Sequence, residues 1–496
     1  MKFCDYNGEE RFILNSLLEQ DEYSYVEELK FCVKNRVLAP FQTRLVAYGL
    51  INKKCILSAD TGLGKTGIAA GLINCISQKI DYMKWIFVCP AFNMVQTVNE
   101  LEDSVYTRKV MYSDNKEISI FDFTTSSIND WDIAVISYEA LANQNLQRYL
   151  LENREVINGI IIDESQLVCN LHGSTSQLLY SMSKNVEYMF MLTATPIRVN
   201  VGQFVKQVDI LERGIFGAEI PKVVRYFTKY DEDYKPIGVE HLDELLDLVE
   251  GRYISVTRDS LNLKGDYKVN MHLCKPLRDY ANVDRKDVPK LVKGDTDGPA
   301  MRKLYSEVER LTSEGKKGLV YVNLNDNKDK VRSYLRDRGI AVEILDGNHT
   351  NSHKKKEEIK ELFVNDKINC VLTNLTVGLN LQCDFIIFYE LTFDFKQMLG
   401  RGERGLKANN LELSFIIVDG TEDVNIFYEN VYNRAKLLGS VCKKDIAEIE
   451  FAYREVNRLK KAKKLVDDRA KIEEARRNRE LALKERERRT KNRVMR

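Results

Sequence analysis

Residues 55–66 read CILSADTGLGKT, which is a short apolar run, a glycine-rich turn and a Lys-Thr pair. The ten residues that follow, GIAAGLINCI, have a helical apolar pattern, so the turn lies between a predicted strand and a predicted helix. Gly62 and Gly64 let backbone N–H groups converge on phosphate oxygens at a helix N-terminus. Lys65 can reach the β- and γ-phosphates, and the Thr66 hydroxyl suits Mg²⁺. The stretch predicts a nucleotide-binding loop; a chance glycine-rich turn is the alternative.

Short apolar runs recur on both sides of helix-length segments. Continuous apolar runs are typical of parallel strands buried on both faces, and their alternation with helices predicts an α/β fold with two parallel sheets. The first group of runs is CILSA (55–59), WIFVC (85–89), DIAVIS (132–137), GIIID (159–163) and MFMLT (189–193). The second group is GLVYV (318–322), AVEILDG (341–347), CVLTN (370–374), FIIFYE (385–390) and LSFIIV (413–418).

Two acidic residues stand at the end of GIIID and begin the motif DESQ, about 100 residues after the glycine-rich turn. Asp163 can hold Mg²⁺, and Glu164 can orient or deprotonate an attacking water. Acidic residues at strand ends are common, so the motif alone is weak evidence for a catalytic site. The predicted nucleotide-binding loop upstream makes that evidence strong. In LTATP, the hydroxyls of Thr193 and Thr195 can link the acids to a nucleic-acid surface. An ordinary strand followed by a hydroxyl-capped turn is the alternative there.

A basic motif, QMLGRGERG, lies among the second group of predicted strands. On a helix, Arg401 and Arg404 share one face, and Gln397 lies one turn before Arg401 on that face. Two guanidinium groups can stabilise charge on the γ-phosphate in a transition state. Because the motif lies on the second predicted domain, its arginines would reach across to nucleotide held by the first domain. A solvated basic helix is the alternative.

These patterns divide the chain into five segments. They are a helical lead-in (1–38), a first α/β domain that binds nucleotide (39–200), a bridge (201–312), a second α/β domain (313–422) and a helical C-terminal extension (423–496).

Charge is distributed unevenly along the chain. Residues 451–496 contain 18 Lys and Arg but 8 Asp and Glu, a net charge of +10, whereas the remainder has a net charge of −9. Such a basic segment favours a polyanionic partner. The alternatives are a solvated charged helix and an arm that docks a protein partner.

The composition argues against several classes of protein. No window approaches the ~20 consecutive apolar residues of a membrane span, so no membrane partner is expected. The first residues, MKFCDYNGEERF, lack the apolar core of a signal peptide. The ten cysteines are scattered without a CxxC pair, which argues against a zinc site or a disulfide framework. A cytoplasmic protein is the expectation.

Taken together, these motifs and their order resemble the superfamily 2 helicases, and in detail the Snf2-like branch. APFQTRLVAYGL (39–50) is similar to that branch's opening motif, in which a glutamine contacts adenine, and Gln42 matches that glutamine. DTGLGKT parallels its DEMGLGKT, and LDGNHT resembles its LDGST. VGLNLQCDFIIFYE (377–390) resembles its GLGINL motif, which would place Gly378 and Asn380 near both nucleotide and nucleic acid.

The resemblance covers residues 39–420 and implies two tandem RecA-like domains of the P-loop NTPase type, followed by a helical C-terminal tail. Three departures stand out. The acid motif ends in SQ where the family has AH or GH, Ala194 replaces the glycine of Snf2 proteins, and GRGER lies between the family's DRxHR and the GRxxR of other helicases. No large insert of the chromatin-remodeller kind is visible. A compact motor of this sort resembles viral or phage proteins, for which the host cytoplasm would be the location.

The resemblance implies an ATP- and Mg²⁺-dependent DNA translocase or helicase, acting in replication, recombination or repair. Double-stranded or branched DNA is the favoured partner, and branch migration or fork regression is a specific variant. An RNA-directed ATPase is one alternative. A regulatory nucleic-acid-binding protein that uses ATP as a switch is another, although the complete acid and arginine motifs argue against it.

Overall fold

The structure is a computed structural model. It describes residues 2–4, 10–12, 29–77, 84–106, 110–113, 127–170, 173–197, 201–217, 219–230, 234, 236–261, 267–277, 287–346, 353–374, 381–391, 411–428 and 452–454. Within this part of the chain, no helix combines the length and the apolar character needed to cross a membrane.

The first described residues form strands rather than helix. Strand β1 (Lys2–Cys4) pairs antiparallel with β2 (Glu10–Phe12), and a short 3-10 helix follows at Leu29–Phe31. The prediction of a helical lead-in over residues 1–38 is therefore wrong for these strand residues. Their short, mixed sequences KFC and ERF carry no helical apolar period that would have decided the matter.

Seven parallel strands form the first sheet, in the order β11-β3-β8-β7-β4-β6-β5. A separate antiparallel hairpin, β9 with β10, precedes the last of them. The seven strands of the sheet are β3 (Lys54–Ala59), β4 (Trp85–Cys89), β5 (Val110–Ser113), β6 (Ile133–Ser137), β7 (Gly159–Asp163), β8 (Tyr188–Thr193) and β11 (Tyr253–Val256). The hairpin strands are β9 (Thr228–Tyr230) and β10 (Pro236–Val239). The helices of this unit are α1 (Pro40–Asn52), α2 (Lys65–Ser77), α3 (Met94–Ser104), α4 (Gln144–Glu152), α5 (Ser174–Asn185), α6 (Val201–Leu211), α7 (Ile220–Phe227) and α8 (Leu242–Leu248).

Six parallel strands form the second sheet, in the order β12-β17-β16-β13-β15-β14. They are β12 (Tyr267–Cys274), β13 (Gly318–Tyr321), β14 (Val342–Ile344), β15 (Cys370–Thr373), β16 (Phe385–Phe388) and β17 (Leu411–Val418). The helices of this unit are α9 (Val288–Lys293), α10 (Pro299–Ser313), α11 (Asn325–Arg336), α12 (His353–Val364) and α13 (Glu422–Ile426). The prediction of an α/β fold with two parallel sheets is confirmed.

The two sheets are buried on both faces, as their continuous apolar runs predict. In β4, Trp85 and Phe87 belong to one apolar cluster, whereas Ile86 and Val88 belong to another on the opposite face. The second sheet repeats the arrangement, since neighbouring residues of β13 and β16 also divide between two clusters. Side chains alternate across a strand, so each sheet separates two cores.

The segment predicted to bridge the two domains contributes a strand to each sheet. Strand β11 pairs with β3 in the first sheet, and β12 pairs with β17 along its full length in the second sheet. The connection between the sheets thus falls between Val256 and Tyr267. The limits of the domains themselves stay a prediction.

A group of charged residues around the buried Glu412 connects strands β12 and β17 of the second sheet to α10. Glu412 in β17 accepts hydrogen bonds from Asn270 Nδ2 at 2.8 Å, from Lys316 Nζ at 2.7 Å and from Arg310. Only 4% of the Glu412 side chain is exposed. Glu307 in α10 binds the same Arg310 at 2.9 Å. A buried carboxylate of this kind is stabilising only while its cationic partners remain.

We expect Glu412→Gln to lower the free energy of unfolding by about 2 kcal/mol near neutral pH, because Arg310 and Lys316 lose a buried partner charge. Burial alone would raise the pKa of Glu412, but hydrogen bonds from Lys316, Lys268 and Asn270 lower that pKa from 4.5 to about 2. A depressed carboxyl pKa stabilises the fold above pH 4.5, and this stabilisation is lost as pH falls toward 2. Urea unfolding across this range should show the deficit of the variant shrinking with acidity.

Glu314→Gln is the matched control, because Glu314 binds the same Arg310 and Lys316 but is 42% exposed. Exposed ion pairs contribute little, so this variant should unfold like the parent. An equal loss of stability in both variants, or a Glu412→Gln deficit that does not change with pH, would contradict the assignment.

Candidate nucleotide site

Three neighbouring strands of the first sheet bring the predicted site residues to one edge. Strand β8 lies between β3 and β7, and all three run parallel. Ser58 pairs with Thr193 across β3 and β8, and Leu192 pairs with Asp163 across β8 and β7. Ligands of open parallel sheets bind outside the carboxyl ends of the strands. Residues 59–66, termed the phosphate loop here, therefore lie beside the acid motif and LTATP.

The phosphate loop turns sharply before α2 begins at Lys65. Gly62 and Gly64 have φ angles of 78° and 75°, in the left-handed region that glycine adopts without strain. A Cβ atom at Gly64 would lie 2.5 Å from the Gln42 amide nitrogen, so the loop passes close to α1. Gln42 Nε2 donates a hydrogen bond to the Leu63 carbonyl at 2.8 Å. The glutamine predicted to contact adenine thus lies against the phosphate loop.

The side chains that would bind the nucleotide fit that ligand in kind. Lys65 Nζ donates to the Ala59 carbonyl at 3.3 Å, so the ammonium group lies across the loop. The two glycines leave a cradle of backbone without side chains, and α2 directs its N-terminus at it. Thr66 and Asp163 offer a hydroxyl and a carboxylate, the hard oxygen ligands that Mg²⁺ takes together with phosphate oxygens.

The acid motif is held in an unusual backbone conformation. Glu164 has a φ angle of 51°, in the left-handed region that residues other than glycine seldom adopt, and it is buried. The Tyr138 hydroxyl donates to the Asp163 carbonyl at 2.8 Å and lies 3.3 Å from the Glu164 carbonyl. Tyr138 thus anchors the turn that presents both carboxylates. Strained backbone of this type is typical of functional sites.

A hydrogen-bonded chain connects the acid motif to LTATP. Gln166 Nε2 donates to Glu164 Oε2 at 2.7 Å, and Thr193 Oγ1 donates to Gln166 Oε1 at 2.6 Å. Thr193 Oγ1 in turn accepts the Thr195 backbone N–H at 3.0 Å. We term Glu164, Gln166 and Thr193 the acid relay. The glutamine of DESQ, a departure from the family pattern, occupies the bridging position of the relay.

A second buried glutamine braces the same two motifs. Ser165 Oγ donates to Gln207 Oε1 at 2.7 Å, and Gln207 Nε2 donates to the Pro196 carbonyl at 2.9 Å. Gln207 lies on α6 and is fully buried. Sequence reasoning missed Tyr138, Gln166 and Gln207 as site residues. A polar residue on the apolar face of α6 was the available signal for Gln207.

Several predicted site residues lie outside the part of the chain that the structure describes. They are Gln397, Arg401 and Arg404 of the basic motif, and Gly378 and Asn380 of the GLGINL-like motif. Their roles stay predictions. Of the predicted set, the described residues Gln42, Gly62, Gly64, Lys65, Thr66, Asp163, Glu164, Thr193 and Thr195 all lie at the carboxyl edge of the first sheet or on the loop and helix beside it.

The fold and the site define a phosphate-loop enzyme with two parallel sheets. The SNF2-related domain family matches residues 24–361, more than half of the sequence. The chain belongs to the SNF2-related domain family, and the prediction of a superfamily 2, Snf2-like protein is confirmed. With this ATPase domain the chain is an ATP-hydrolysing enzyme, as the phosphate loop predicts.

Among the proteins similar to the chain are a curated relative and two solved structures. A Methanocaldococcus jannaschii protein named as an ATP-dependent RNA helicase is 22% identical over 471 residues, covering 80% of this chain; the chain spans 60% of the length of that relative. The Sulfolobus solfataricus SWI2/SNF2 ATPase core in complex with double-stranded DNA is 17% identical, with 89% of this chain and 98% of that chain covered and a TM-score of 0.42. The core domain of the same ATPase is 16% identical, with 88% and 98% covered and a TM-score of 0.42.

We expect Glu164→Gln to bind ATP and Mg²⁺ like the parent but to hydrolyse ATP at least about 100-fold more slowly, because an amide cannot accept a proton from water. Nucleotide titration and single-turnover hydrolysis separate the two effects. Glu152→Gln, at an exposed position on α4, is the control and should hydrolyse ATP at the parent rate. Weakened binding with normal chemistry in the bound fraction would remove Glu164 from the hydrolytic step.

Proposed function

We propose that the chain is an ATP- and Mg²⁺-dependent translocase or helicase that moves on or remodels DNA. The observation that carries this proposal is the acid relay. It gives a carboxylate suited to the hydrolytic step a direct hydrogen-bonded path, through Gln166, to the hydroxyl of Thr193. In a motor, the rate of ATP hydrolysis must depend on contact with the nucleic acid along which the protein moves. A buried hydrogen-bonded path between the two sites supports such a dependence.

The proposal gives each described site residue a role. Lys65 binds the β- and γ-phosphates, Thr66 and Asp163 hold Mg²⁺, and Glu164 orients the attacking water. When bound, Mg²⁺ neutralises charge on the phosphate oxygens. Thr193 and Thr195 transmit contact with nucleic acid. The remaining assignments rest on the sequence motifs and the family resemblance: Gln42, Gln397 and Gly378 for the nucleotide, Arg401 and Arg404 for the transition state, and Asn380 for nucleic acid.

RNA is the second candidate track. The specific observation in its favour is the curated relative named as an RNA helicase. The Snf2-like motif set favours DNA, and the acid relay serves either polymer. Replication, recombination or repair is the proposed setting for a DNA motor, with fork regression or branch migration as the specific activity.

A panel of ATPase rates tests the proposed function. We expect double-stranded DNA, forked DNA or four-way junctions to raise kcat at least about tenfold over the rate without nucleic acid, and more than RNA does. Single-stranded DNA and RNA of equal length are the controls for the type of track. The strongest stimulation by RNA would select the alternative, and equal rates under all conditions would refute a nucleic-acid motor.

The basic C-terminal segment, residues 451–496, is termed the basic tail here, and two of its first residues pack on the second unit. Ala452 is buried in an apolar cluster of the second sheet, and the Tyr453 ring stacks on Tyr428 with centroids 4.2 Å apart. The rest of the tail, residues 455–496, lies outside the described part of the chain and has a net charge of +9. We propose that this segment contacts a nucleic-acid backbone. A truncation should therefore begin after Arg454, so that the packing of Ala452 and Tyr453 is kept.

We expect removal of residues 455–496 to weaken DNA binding and to flatten its salt dependence, since each neutralised duplex phosphate contributes a slope of about −0.9. Affinity measured across a salt series checks this. A chain that retains the tail length but carries Gln at positions 486, 488, 489 and 493 is the matched control for charge, and its slope should fall between the two. Parallel slopes with equal affinities would leave a solvated spacer or a protein-docking arm.

A further inference from the structure

The phosphate loop is hydrogen-bonded directly to the segment that leaves the first sheet for the second. Asp60 follows β3, and its backbone N–H donates to the Val256 carbonyl at 3.2 Å. Two residues further along that segment, the Arg258 backbone N–H donates to Asp60 Oδ2 at 2.7 Å. A charged acceptor makes this second hydrogen bond a strong one. Asp60 thus holds the end of β11 with both its main chain and its side chain.

The segment that Asp60 holds is itself closed into a compact turn. Thr257 and Ser260 bond reciprocally: Thr257 N–H donates to Ser260 Oγ at 3.0 Å, and Ser260 N–H donates to Thr257 Oγ1 at 3.1 Å. Thr257 and Arg258 are buried, and Leu261 packs on the core of the first sheet. Five residues beyond Leu261 in the chain lie before Tyr267, where β12 begins the second sheet.

Asp60 also belongs to the backbone that would cradle the phosphates. The Leu63 N–H donates to the Asp60 carbonyl at 3.2 Å, which closes the first half of the phosphate loop. A shift of this loop on binding or losing the γ-phosphate would therefore displace the acceptor of the Arg258 N–H. Because Thr257 and Arg258 are buried and Thr257 and Ser260 are hydrogen-bonded to each other, the turn would move as a unit rather than deform.

We propose that Asp60 is a positioning residue that couples the nucleotide state of the phosphate loop to the connection between the two sheets. Nucleic-acid-stimulated hydrolysis depends on this coupling, whereas ATP binding does not. The proposal rests on the proposed function, since it concerns the regulation of the same site. It differs from the acid relay in path, because it leaves the first sheet through β11 rather than through β8.

The test compares full-length variants by ATP affinity and by kcat with and without linear duplex DNA. Asp60→Ala removes the acceptor, and Ser260→Ala loosens the turn on the far side without touching the phosphate loop. We expect both variants to lose about tenfold of the stimulated kcat. In Ser260→Ala, which leaves the phosphate loop intact, ATP affinity should stay close to that of the parent. Asp60→Asn retains an acceptor oxygen at the same place and should restore most of the stimulation.

A double variant separates coupling from general damage. If Asp60 and Ser260 act on one path, the double alanine variant should be no worse than either single variant, whereas independent structural defects would add. Asp130→Ala is the matched control, because Asp130 accepts the Ser127 N–H at 2.8 Å in an exposed turn of the same unit. It should behave like the parent.

Three outcomes would overturn the inference: normal stimulation in Asp60→Ala and Ser260→Ala, additive losses in the double variant, or a loss confined to ATP affinity. Each is read against a parent chain that duplex DNA stimulates. If duplex DNA leaves the parent unstimulated, it is the proposed function that fails, and the comparison is repeated with the polymer that does stimulate. If one of the two alanine variants does not fold, the other and Asp60→Asn still decide the matter.

Discussion

Burial of both sheets on both faces is the constraint from which the rest of the structure follows. A parallel strand with apolar clusters above and below it admits few polar side chains along its length. In β3, β7 and β8, the polar side chains Ser58, Asp163 and Thr193 accordingly lie at or next to the carboxyl ends. In parallel sheets those ends gather at one edge. The order β11-β3-β8-β7 places the phosphate loop, the acid motif and LTATP next to one another at that edge.

The same arrangement makes two buried glutamines beside the site informative. In both Gln166 and Gln207, the amide nitrogen donates a hydrogen bond and the amide oxygen accepts one. Each glutamine therefore connects two parts of the site. Together they join the acid motif to the two ends of LTATP. On the other side of β3, the Asp60 carboxylate accepts the Arg258 backbone N–H and so holds the segment that follows β11. The phosphate loop is thus flanked by two hydrogen-bonded connections that lead in different directions.

The second sheet shows how buried charge replaces apolar contact at strand ends. Lys328 and Asp346 form an ion pair that is almost fully buried beside β14. Glu390, two residues beyond β16, accepts the backbone N–H groups of Asn323 and Leu324, just before α11 begins. Such pairs are stabilising as pairs and costly when one partner is removed. They hold in place the residues that follow β14 and β16.

Most of the strands could be predicted from the sequence, because a fully buried parallel strand is a continuous apolar run. WIFVC and GIIID match β4 and β7 at both ends. AVEILDG and FIIFYE were predicted too long, since Asp346 and Glu390 leave the strand to bond elsewhere. Strands β11 and β12 were missed, because YISV and YKVNMHLC are interrupted by polar residues and lie in a stretch without a regular helical rhythm.

The parts of the site that consist of contiguous sequence motifs could be predicted from the sequence. Phosphate loops and strand-end acids are local in sequence, so Lys65, Asp163 and Glu164 could be placed on their strands and turns. The contacts of Gln166 with Thr193, of Gln207 with Pro196 and of Asp60 with Arg258 join residues that are far apart in the chain. No local pattern specifies which strand neighbours which, and the sheet order decides these contacts.

The acid relay is the centre of this account, and a double-mutant cycle on it is the most direct test. Gln166→Ala and Thr193→Val would be measured singly and together by the nucleic-acid-stimulated kcat, with ATP affinity followed in parallel. The account predicts that each single change abolishes most of the stimulation and that the double change adds little, since both break one path. Stimulation that survives both changes, or losses that simply add, would contradict it.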